Sequence, residues 1–93
     1  MERPGVYILQ SSKNGNYYIG STSDIITRID YHNKGRVKAT KNLRPWILLS
    51  FIPRSSIVEA KNAEYRLKQY KRRDIIEKVI HDKLFPWEYT TPI

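Results

Sequence analysis

Cysteine is absent from this sequence of 93 residues, and so is any long apolar run. Without a thiol the chain can form no disulfide, no thiolate metal site and no cysteine nucleophile. The lack of cysteine suits a reducing compartment, so we expect a cytoplasmic protein. No stretch reaches the roughly 20 apolar residues that span a bilayer. The start of the chain, MERPGVYILQ, lacks the basic and apolar regions of a secretory signal.

Acidic residues are also scarce, since nine aspartates and glutamates stand against 17 lysines and arginines, for a net charge of +8. This excess creates a positive field that attracts polyanions. A membrane-surface protein of this kind needs a basic amphipathic helix or a lipid anchor, and the sequence contains neither. We therefore expect nucleic acid as the partner, ahead of anionic membrane and acidic protein. Solubility alone is the neutral interpretation of the charge.

Two short runs of β-forming residues open the chain on either side of Asn14-Gly15. This dipeptide between such runs is the strongest short-range signal for a β-hairpin. The pattern predicts one strand over Gly5–Ser11 and a second from Tyr17 to Gly20 or slightly beyond.

The register of this hairpin decides which side chains share a face. With Asn14-Gly15 as a two-residue turn, Ser11 lies opposite Tyr18. The alternation of side chains then places Tyr7 and Tyr18 on the same face of the sheet. In that register Tyr7 lies four residues from the position opposite Tyr18, about 13 Å along the strand. A longer loop or a bulge changes this separation.

The rest of the chain predicts four more elements. A helix runs from about Asp24 to Lys34 and is stopped by Gly35, and a strand over Pro45–Phe51 is ended by Pro53. A second helix is capped by Ser55-Ser56 and closed by Lys71-Arg72-Arg73, and a short third helix runs from Asp74 to about His81 or Lys83. The near-continuous apolar run of the third strand predicts burial on both faces. The C-terminal LFPWEYTTPI is expected to pack one or two aromatic rings against the body. The order β-β-α-β-α-α predicts a single α/β domain, a small sandwich with a three-stranded, largely antiparallel sheet flanked by helices.

Glu64 interrupts the apolar stripe of the second long helix. The stripe consists of Ile57, Ala60, Ala63, Leu67 and Tyr70. An unpaired carboxylate on the core-facing side of a helix is costly. Glu64 therefore requires a partner, either a cation such as Arg28 or Lys68 or a bound metal ion.

Four residue types in one cleft could hydrolyse a phosphodiester. Arg28 and His32 are four residues apart on the first predicted helix, so they are neighbours on one face. Together with two phenols and a carboxylate they supply a proton acceptor, cationic donors and an oxygen ligand for a metal. A lone carboxylate favours Mg²⁺, which keeps several waters. The neutral interpretations are packing for the tyrosines, a solvated charge for Arg28 and a structural role for His32.

The same residues resemble the GIY-YIG endonuclease family over about residues 4–80. Five ordered elements carry the resemblance: Gly5-Val6-Tyr7, with valine for isoleucine; Tyr18-Ile19-Gly20; Gly20-Ser21-Thr22-Ser23-Asp24 followed by Arg28-x-x-x-His32; Arg44-Pro45-Trp46 before an apolar strand; and Ala60-x-x-x-Glu64-x-x-Leu67-Lys68. The chain looks most like the stand-alone, single-domain branch, similar to the nuclease domain of excinuclease C.

The resemblance implies a role for each residue. Tyr7 would be the general base or would position the attacking water, and Tyr18 would hydrogen-bond the scissile phosphate or a metal-bound water. Arg28 would stabilise the pentacovalent phosphate, and His32 would relay a proton or orient Tyr7. Glu64 would be the sole protein ligand of one Mg²⁺ or Mn²⁺ ion. The implied enzyme is a metal-dependent endonuclease that cuts DNA to a 5′-phosphate and a 3′-hydroxyl, in repair or recombination.

Basic residues outside the cluster are expected to contact phosphates without reading the bases: Arg36, Lys38, Lys41, Arg44, Lys71, Arg72 and Arg73. Since no helix-turn-helix or zinc finger is present, we expect structure-selective or non-specific cleavage. Two other interpretations stay open, a catalytically idle nucleic-acid-binding module of the same fold and a subunit of a larger repair assembly. DNA is the expected substrate, RNA is left open, and the chain is expected to be a monomer or weak dimer.

Overall fold

The computed structural model describes residues 3–89, which form one three-stranded antiparallel sheet with helices on both faces. The elements are β1 (Gly5–Ser11), β2 (Tyr17–Thr22), α1 (Ile25–Asn33), β3 (Trp46–Pro53), α2 (Ile57–Lys68) and α3 (Arg73–Asp82). The strand order is β2-β1-β3. This architecture confirms the predicted β-β-α-β-α-α order and the small α/β class. Within residues 3–89 no helix is long and apolar enough to cross a membrane.

β1 lies in the centre of the sheet, and its alternating side chains enter two cores. On the face covered by α2 and α3, the larger core contains Val6, Ile8, Ile52, Ala60, Leu67, Ile76, Val79 and Phe85. On the opposite face Tyr7, Leu9 and Trp46 form a smaller cluster, against which Ile25 and Ile29 of α1 pack. The predicted apolar stripes of α1 and α2 are therefore confirmed.

The hairpin loop is longer than the predicted two-residue turn. Leu9 lies opposite Tyr18, where Ser11 was predicted. Residues 12–15 form the loop, and the Gly15 amide donates to the Ser11 carbonyl over 2.9 Å. Gly15 has a φ of 79°, a left-handed conformation that a glycine adopts without strain. The predicted register was therefore wrong by two residues.

A shift of two residues preserves the set of side chains on each face. Tyr7 and Tyr18 share the α1 face, as predicted, and Tyr7 lies opposite Gly20. The two rings are direct neighbours, with their centroids 6.4 Å apart. The predicted separation of about 13 Å along the strand was too large.

β3 is an edge strand and is not buried on both faces. Its Ile47 is 54% exposed and its Leu48 37% exposed. Among residues 3–89 β3 pairs with β1 alone, and a register irregularity opposite Ile8 and Leu9 interrupts that pairing. An apolar run cannot distinguish an edge strand from a central one, because neighbours elsewhere in the chain decide its coverage.

The junction between α2 and α3 also differs from the prediction. Lys71-Arg72-Arg73 does not close α2, because α2 ends at Lys68 and Lys71 has a φ of 52°. Arg73 begins α3, one residue before the predicted start at Asp74. The Arg72 guanidinium pairs with the Asp74 carboxylate over 2.6 Å, which favours a new helix start at this point.

The segment after α3 packs aromatic rings, as predicted. Phe85 is fully buried, and Trp87 stacks on it with ring centroids 4.8 Å apart. The predicted segment continues through residues 90–93, which lie outside the described residues.

Candidate active site

The start of α1 directs two functional side chains towards β1. Asp24 caps the helix by accepting a hydrogen bond from the Thr27 amide over 3.3 Å, immediately after β2 ends. Ile25 and Ile29 anchor the helix on the Tyr7 cluster. Arg28 and His32 lie one turn apart beside this stripe, so both side chains reach Tyr7.

A chain of hydrogen bonds connects α1, β1 and the loop after α1. The Arg28 Nε donates to the Tyr7 hydroxyl over 3.2 Å. The Tyr7 hydroxyl lies 2.8 Å from His32 Nε2. On the other side of the imidazole, His32 Nδ1 lies 2.7 Å from Thr40 Oγ1. Thr40 Oγ1 donates to the Val37 carbonyl over 3.4 Å.

The direction of this chain follows from the charge state of His32. The side chain is 0% exposed, and burial together with the positive charge of Arg28 lowers its pKa from 6.5 to about 4. At neutral pH the ring therefore carries one N–H. Because the Thr40 hydroxyl donates to the Val37 carbonyl, we assign the ring N–H to Nδ1, which then donates to Thr40 Oγ1. Nε2 then accepts the hydrogen bond of the Tyr7 hydroxyl.

Acidification is expected to destabilise the protein through His32. Between pH 6.5 and 4 the unfolded chain binds a proton at this residue that the folded chain excludes, so stability falls as the pH is lowered. The loss on going to pH 4 amounts to about 3 kcal/mol of unfolding free energy. Urea unfolding followed by circular dichroism at pH 7, 6, 5 and 4 measures the loss.

Two histidine variants test the origin of this pH dependence. His32→Gln should lose most of the slope between pH 6.5 and 4. His81→Gln should keep it, because the His81 side chain is 88% exposed. Equal slopes in His32→Gln and the wild type would show that another group causes the effect.

Tyr7 is a buried, neutral phenol. Its side chain is 0% exposed. Burial raises the pKa of Tyr7, and the hydrogen bond and charge of Arg28 oppose the shift without cancelling it. The same hydrogen bond raises the pKa of the Arg28 guanidinium. A solvent molecule reaches the Tyr7 oxygen only after a covering side chain moves.

Tyr18 is the more accessible of the two phenols. Its half-buried ring packs edge-on against His32 and Trp46, with centroid distances of 5.1 Å and 6.2 Å. The Lys68 Nζ lies 5.9 Å from its centroid. Within residues 3–89 no hydrogen bond involves the Tyr18 hydroxyl, so this group is available to a ligand.

Both carboxylate oxygens of Glu64 are in contact with polar side chains. Ser21 Oγ donates to Oε1 over 2.5 Å, and the Lys68 ammonium pairs with Oε2 over 2.5 Å. The Glu64 side chain is 21% exposed. Of the two cations considered as partners from the sequence, the structure selects Lys68. The negative charge of Glu64 also raises the pKa of Tyr7, although burial is the larger cause.

The five predicted site residues approach the edge strand β2 from both faces of the sheet. Tyr18 lies on the α1 face, whereas Ser21, one residue out of phase, lies on the α2 face and contacts Glu64. The Lys68 ammonium, between the Glu64 carboxylate and the Tyr18 ring, connects the two halves. The five side chains thus gather around the β2 edge of the sheet.

Two polar residues of this arrangement were missed from the sequence. Ser21 was named only within the motif Gly20-Ser21-Thr22-Ser23-Asp24, and Thr40 was assigned to no element and no site. The alternation of β2 could have pointed to Ser21, because it lies next to Gly20 on the face opposite Tyr18. No local pattern indicates that Thr40 contacts His32.

The donor set around Glu64 suits a hydrated magnesium or manganese ion. Residues 3–89 hold no group of three or more histidine, cysteine, aspartate or glutamate side chains that could enclose a metal. A carboxylate beside the Ser21 hydroxyl offers only oxygen ligands. Mg²⁺ binds such sites through one or two carboxylates and retains several waters.

The seven predicted phosphate-binding residues are all exposed and lie in two places: Arg36, Lys38, Lys41 and Arg44 between α1 and β3, and Lys71, Arg72 and Arg73 at the junction of α2 and α3. Three form hydrogen bonds or ion pairs through their side chains, and the Arg36 guanidinium lies 5.6 Å from the centroid of the Tyr31 ring. Arg44 donates to the Lys41 carbonyl over 2.7 Å, Arg72 pairs with Asp74, and Arg73 pairs with Glu77 over 3.4 Å. Among residues 3–89 the other four form no ion pair.

A shallow depression of ≈ 250 Å³ lies on the flank of α2 opposite Glu64, lined by Arg54, Glu59, Asn62, Ala63, Arg66 and Trp87. Its two arginines are engaged within the protein. Arg54 pairs with Glu88 over 2.8 Å, and the Arg66 guanidinium covers the Trp87 ring at 4.3 Å. The depression lacks the phenols and the histidine of the β2 edge, so we place the candidate chemistry at that edge.

Sequence comparisons agree with this assignment of the fold. The family model described as GIY-YIG catalytic domain matches residues 3–78. A UPF0213 protein of Halalkalibacterium halodurans is 36% identical over 89 residues, which cover 95% of this chain and 93% of the relative. A UPF0213 protein of Staphylococcus haemolyticus is 34% identical over 80 residues, which cover 85% of this chain and 96% of the relative. A UPF0213 protein of Halobacterium salinarum is 38% identical over 68 residues, which cover 72% of this chain and 87% of the relative. No solved structure matches significantly.

Proposed function

The chain belongs to the GIY-YIG family of nuclease domains, and we propose that it is a divalent-metal-dependent endonuclease that hydrolyses phosphodiester bonds in DNA. The observation that supports this function best is the hydrogen bond of 3.2 Å from Arg28 Nε to the Tyr7 hydroxyl. The Glu64 carboxylate is close enough for its charge to raise the pKa of that hydroxyl. Acting as a single cytoplasmic domain, it would leave a 5′-phosphate and a 3′-hydroxyl.

In this proposal Tyr7 accepts a proton from the attacking water once the side chain that covers its oxygen has moved aside. Its own proton points to His32 Nε2, which directs a lone pair of the oxygen away from the imidazole. As the water is deprotonated at the Tyr7 oxygen, the Tyr7 proton moves to Nε2. Tyr7 then passes the proton taken from water to the leaving 3′-oxygen, and the low pKa of His32, about 4, favours return of the stored proton from Nε2 to Tyr7.

Arg28 and Tyr18 bind the phosphate. The Arg28 guanidinium provides a fixed positive charge where the pentacovalent phosphate develops its negative charge. The Tyr18 hydroxyl donates to a phosphate oxygen or to a metal-bound water. Glu64 would hold the metal ion, which would supply positive charge to the phosphate and acidify a bound water.

Substrate affinity comes from the exposed basic residues between α1 and β3 and at the junction of α2 and α3. Lysine and arginine contacts to phosphates give salt-dependent affinity and carry little base information. We therefore propose a DNA structure, or DNA without sequence preference, as the target in repair or recombination. RNA remains a second substrate to test.

The alternative function is a nucleic-acid-binding module of the same fold without turnover. One observation favours it, because the Tyr7 hydroxyl is covered and the Glu64 carboxylate is paired with Lys68. Purified protein incubated with Mg²⁺ or Mn²⁺ and single-stranded, duplex, flap and branched DNA tests the choice. Cleavage of any of them supports the nuclease, whereas salt-sensitive binding of DNA without any cleavage supports the module.

Arg28→Ala is expected to lower the cleavage rate constant by about 10²–10³-fold, because the developing phosphate charge loses its guanidinium. DNA affinity should change little, since the exposed basic residues remain. Single-turnover cleavage and fluorescence anisotropy measure the two quantities. Lys34→Ala is the matched control, because it removes one exposed charge from the end of α1. Equal rate losses in both variants would mean that Arg28 acts only through net charge.

A further inference from the structure

Lys68 occupies the position next to the proposed metal ligand. Its ammonium lies 2.5 Å from Glu64 Oε2, while Ser21 Oγ lies 2.5 Å from Oε1. No oxygen of the carboxylate is therefore left without a polar contact. The Lys68 Nζ also lies 5.9 Å from the centroid of the Tyr18 ring.

An ordinary salt bridge between residues four apart on a helix is the neutral interpretation of this pair. Such pairs stabilise a helix weakly. The Glu64 side chain, however, is only 21% exposed, whereas that of Lys68 is 44% exposed. The carboxylate is thus the less exposed member of the pair, and the Lys68 ammonium occupies its Oε2. A metal ion that binds Oε2 must displace Lys68 from it.

A divalent cation and an ammonium cannot share one carboxylate oxygen without strong repulsion. Loading of Glu64 therefore requires the ammonium to leave Oε2. Lysine has a flexible four-carbon stem and rotates easily. The Tyr18 hydroxyl marks the place where the proposed function puts the scissile phosphate. A phosphate there provides the displaced ammonium with a new anionic partner.

We propose that Lys68 is an internal counterion of Glu64, which holds the carboxylate in place and excludes metal until a DNA phosphate attracts the ammonium away. This inference rests on the proposed function. Metal and DNA then bind cooperatively. The metal releases the ammonium from Glu64 so that it can pair with a phosphate, and a DNA phosphate draws the ammonium away so that Glu64 can bind the metal. By thermodynamic linkage, DNA must raise metal affinity by the same factor by which metal raises DNA affinity.

Mn²⁺ binding without DNA, measured by electron paramagnetic resonance, tests the proposal independently of cleavage. Lys68→Met keeps the length of the side chain and removes its charge, so we expect about tenfold tighter Mn²⁺ binding, equivalent to about 1.4 kcal/mol. Lys68→Arg should bind Mn²⁺ as weakly as the wild type. Lys61→Met is the matched control, because Lys61 is exposed on α2. It removes the same charge from the helix and should leave Mn²⁺ affinity close to wild type.

A phosphorothioate oligonucleotide that resists hydrolysis tests the coupling. It should tighten Mn²⁺ binding to the wild type several-fold more than it tightens binding to Lys68→Met, which has no ammonium to displace. Unaltered Mn²⁺ affinity in Lys68→Met, or an equal gain in Lys61→Met, overturns the proposal. Lys68→Gln repeats the measurement if circular dichroism shows that Lys68→Met is unfolded.

Glu64→Gln separates the failure of this inference from the failure of the function. If Glu64→Gln binds Mn²⁺ as the wild type does, the proposed metal site itself is wrong. If Glu64→Gln loses Mn²⁺ while Lys68→Met matches the wild type, the metal site stands and only the counterion role of Lys68 is overturned.

Discussion

Glu64→Gln should reduce metal-dependent DNA cleavage by at least about 10³-fold. The amide keeps the shape of the side chain and can still accept the Ser21 hydrogen bond. It loses the negative charge that would attract a divalent ion, and the described residues offer no cluster of other ligands. Single-turnover cleavage over a range of Mg²⁺ and Mn²⁺ concentrations measures the effect. More metal should not restore the rate.

Glu77→Gln is the matched control for this variant. Glu77 lies on α3, its side chain is 52% exposed, and it forms an ion pair with an arginine as Glu64 does with a lysine. Its replacement should leave the cleavage rate within about twofold of wild type, as surface changes usually do. A Glu64→Gln protein that retains a tenth or more of the wild-type rate would remove Glu64 from the metal site.

Gly20→Ala should both destabilise the fold and abolish cleavage. A Cβ at this position would lie 2.4 Å from Cζ and from the hydroxyl oxygen of Tyr7. The Tyr7 ring is fully buried and is held by Arg28 and His32, so it cannot move aside without breaking those contacts. Overpacking of this kind costs up to about 3 kcal/mol. Urea unfolding gives the stability, and single-turnover cleavage gives the activity.

A double-mutant cycle isolates the clash. In a Tyr7→Leu background the shorter side chain removes the atoms that Cβ would meet, so Gly20→Ala should cost about 1 kcal/mol or less, within the range of ordinary substitutions. An equal cost in both backgrounds would assign the loss to the β2 backbone instead of to Tyr7.

Local signals predicted most of the secondary structure, because they act between residues near in sequence. Asp24 caps α1, and Gly35 has a φ of 76° just after it. Ser56 caps α2, as expected from the Ser-Ser pair. The predictions that failed concerned register, strand coverage and the end of α2. Those features depend on loop geometry and on partners distant in the chain.

The candidate site was predictable only in its composition. The sequence placed Tyr7 and Tyr18 on one face, and it singled out Glu64 because a carboxylate interrupted an apolar stripe. It could not choose between Arg28 and Lys68 as partner of Glu64, because both were plausible until α2 was docked on β2. The sequence likewise gave no sign that Tyr7 is buried or that Thr40 contacts His32. Tyr7 is 25 positions from His32, and Thr40 is 8 positions from it, so these side chains meet only after folding.

The amino-acid sequence by itself determined the basic charge, the order of elements and which side chains share each face of the hairpin. These properties follow from composition and from the periods of strand and helix, which need no distant partner. Only the tertiary structure decided that Tyr7 is covered, that Lys68 lies on Glu64 and that the two halves of the site meet around the edge of β2. Each of these depends on where helices from either face of the sheet come to rest, and that placement is set by the packing of the two cores.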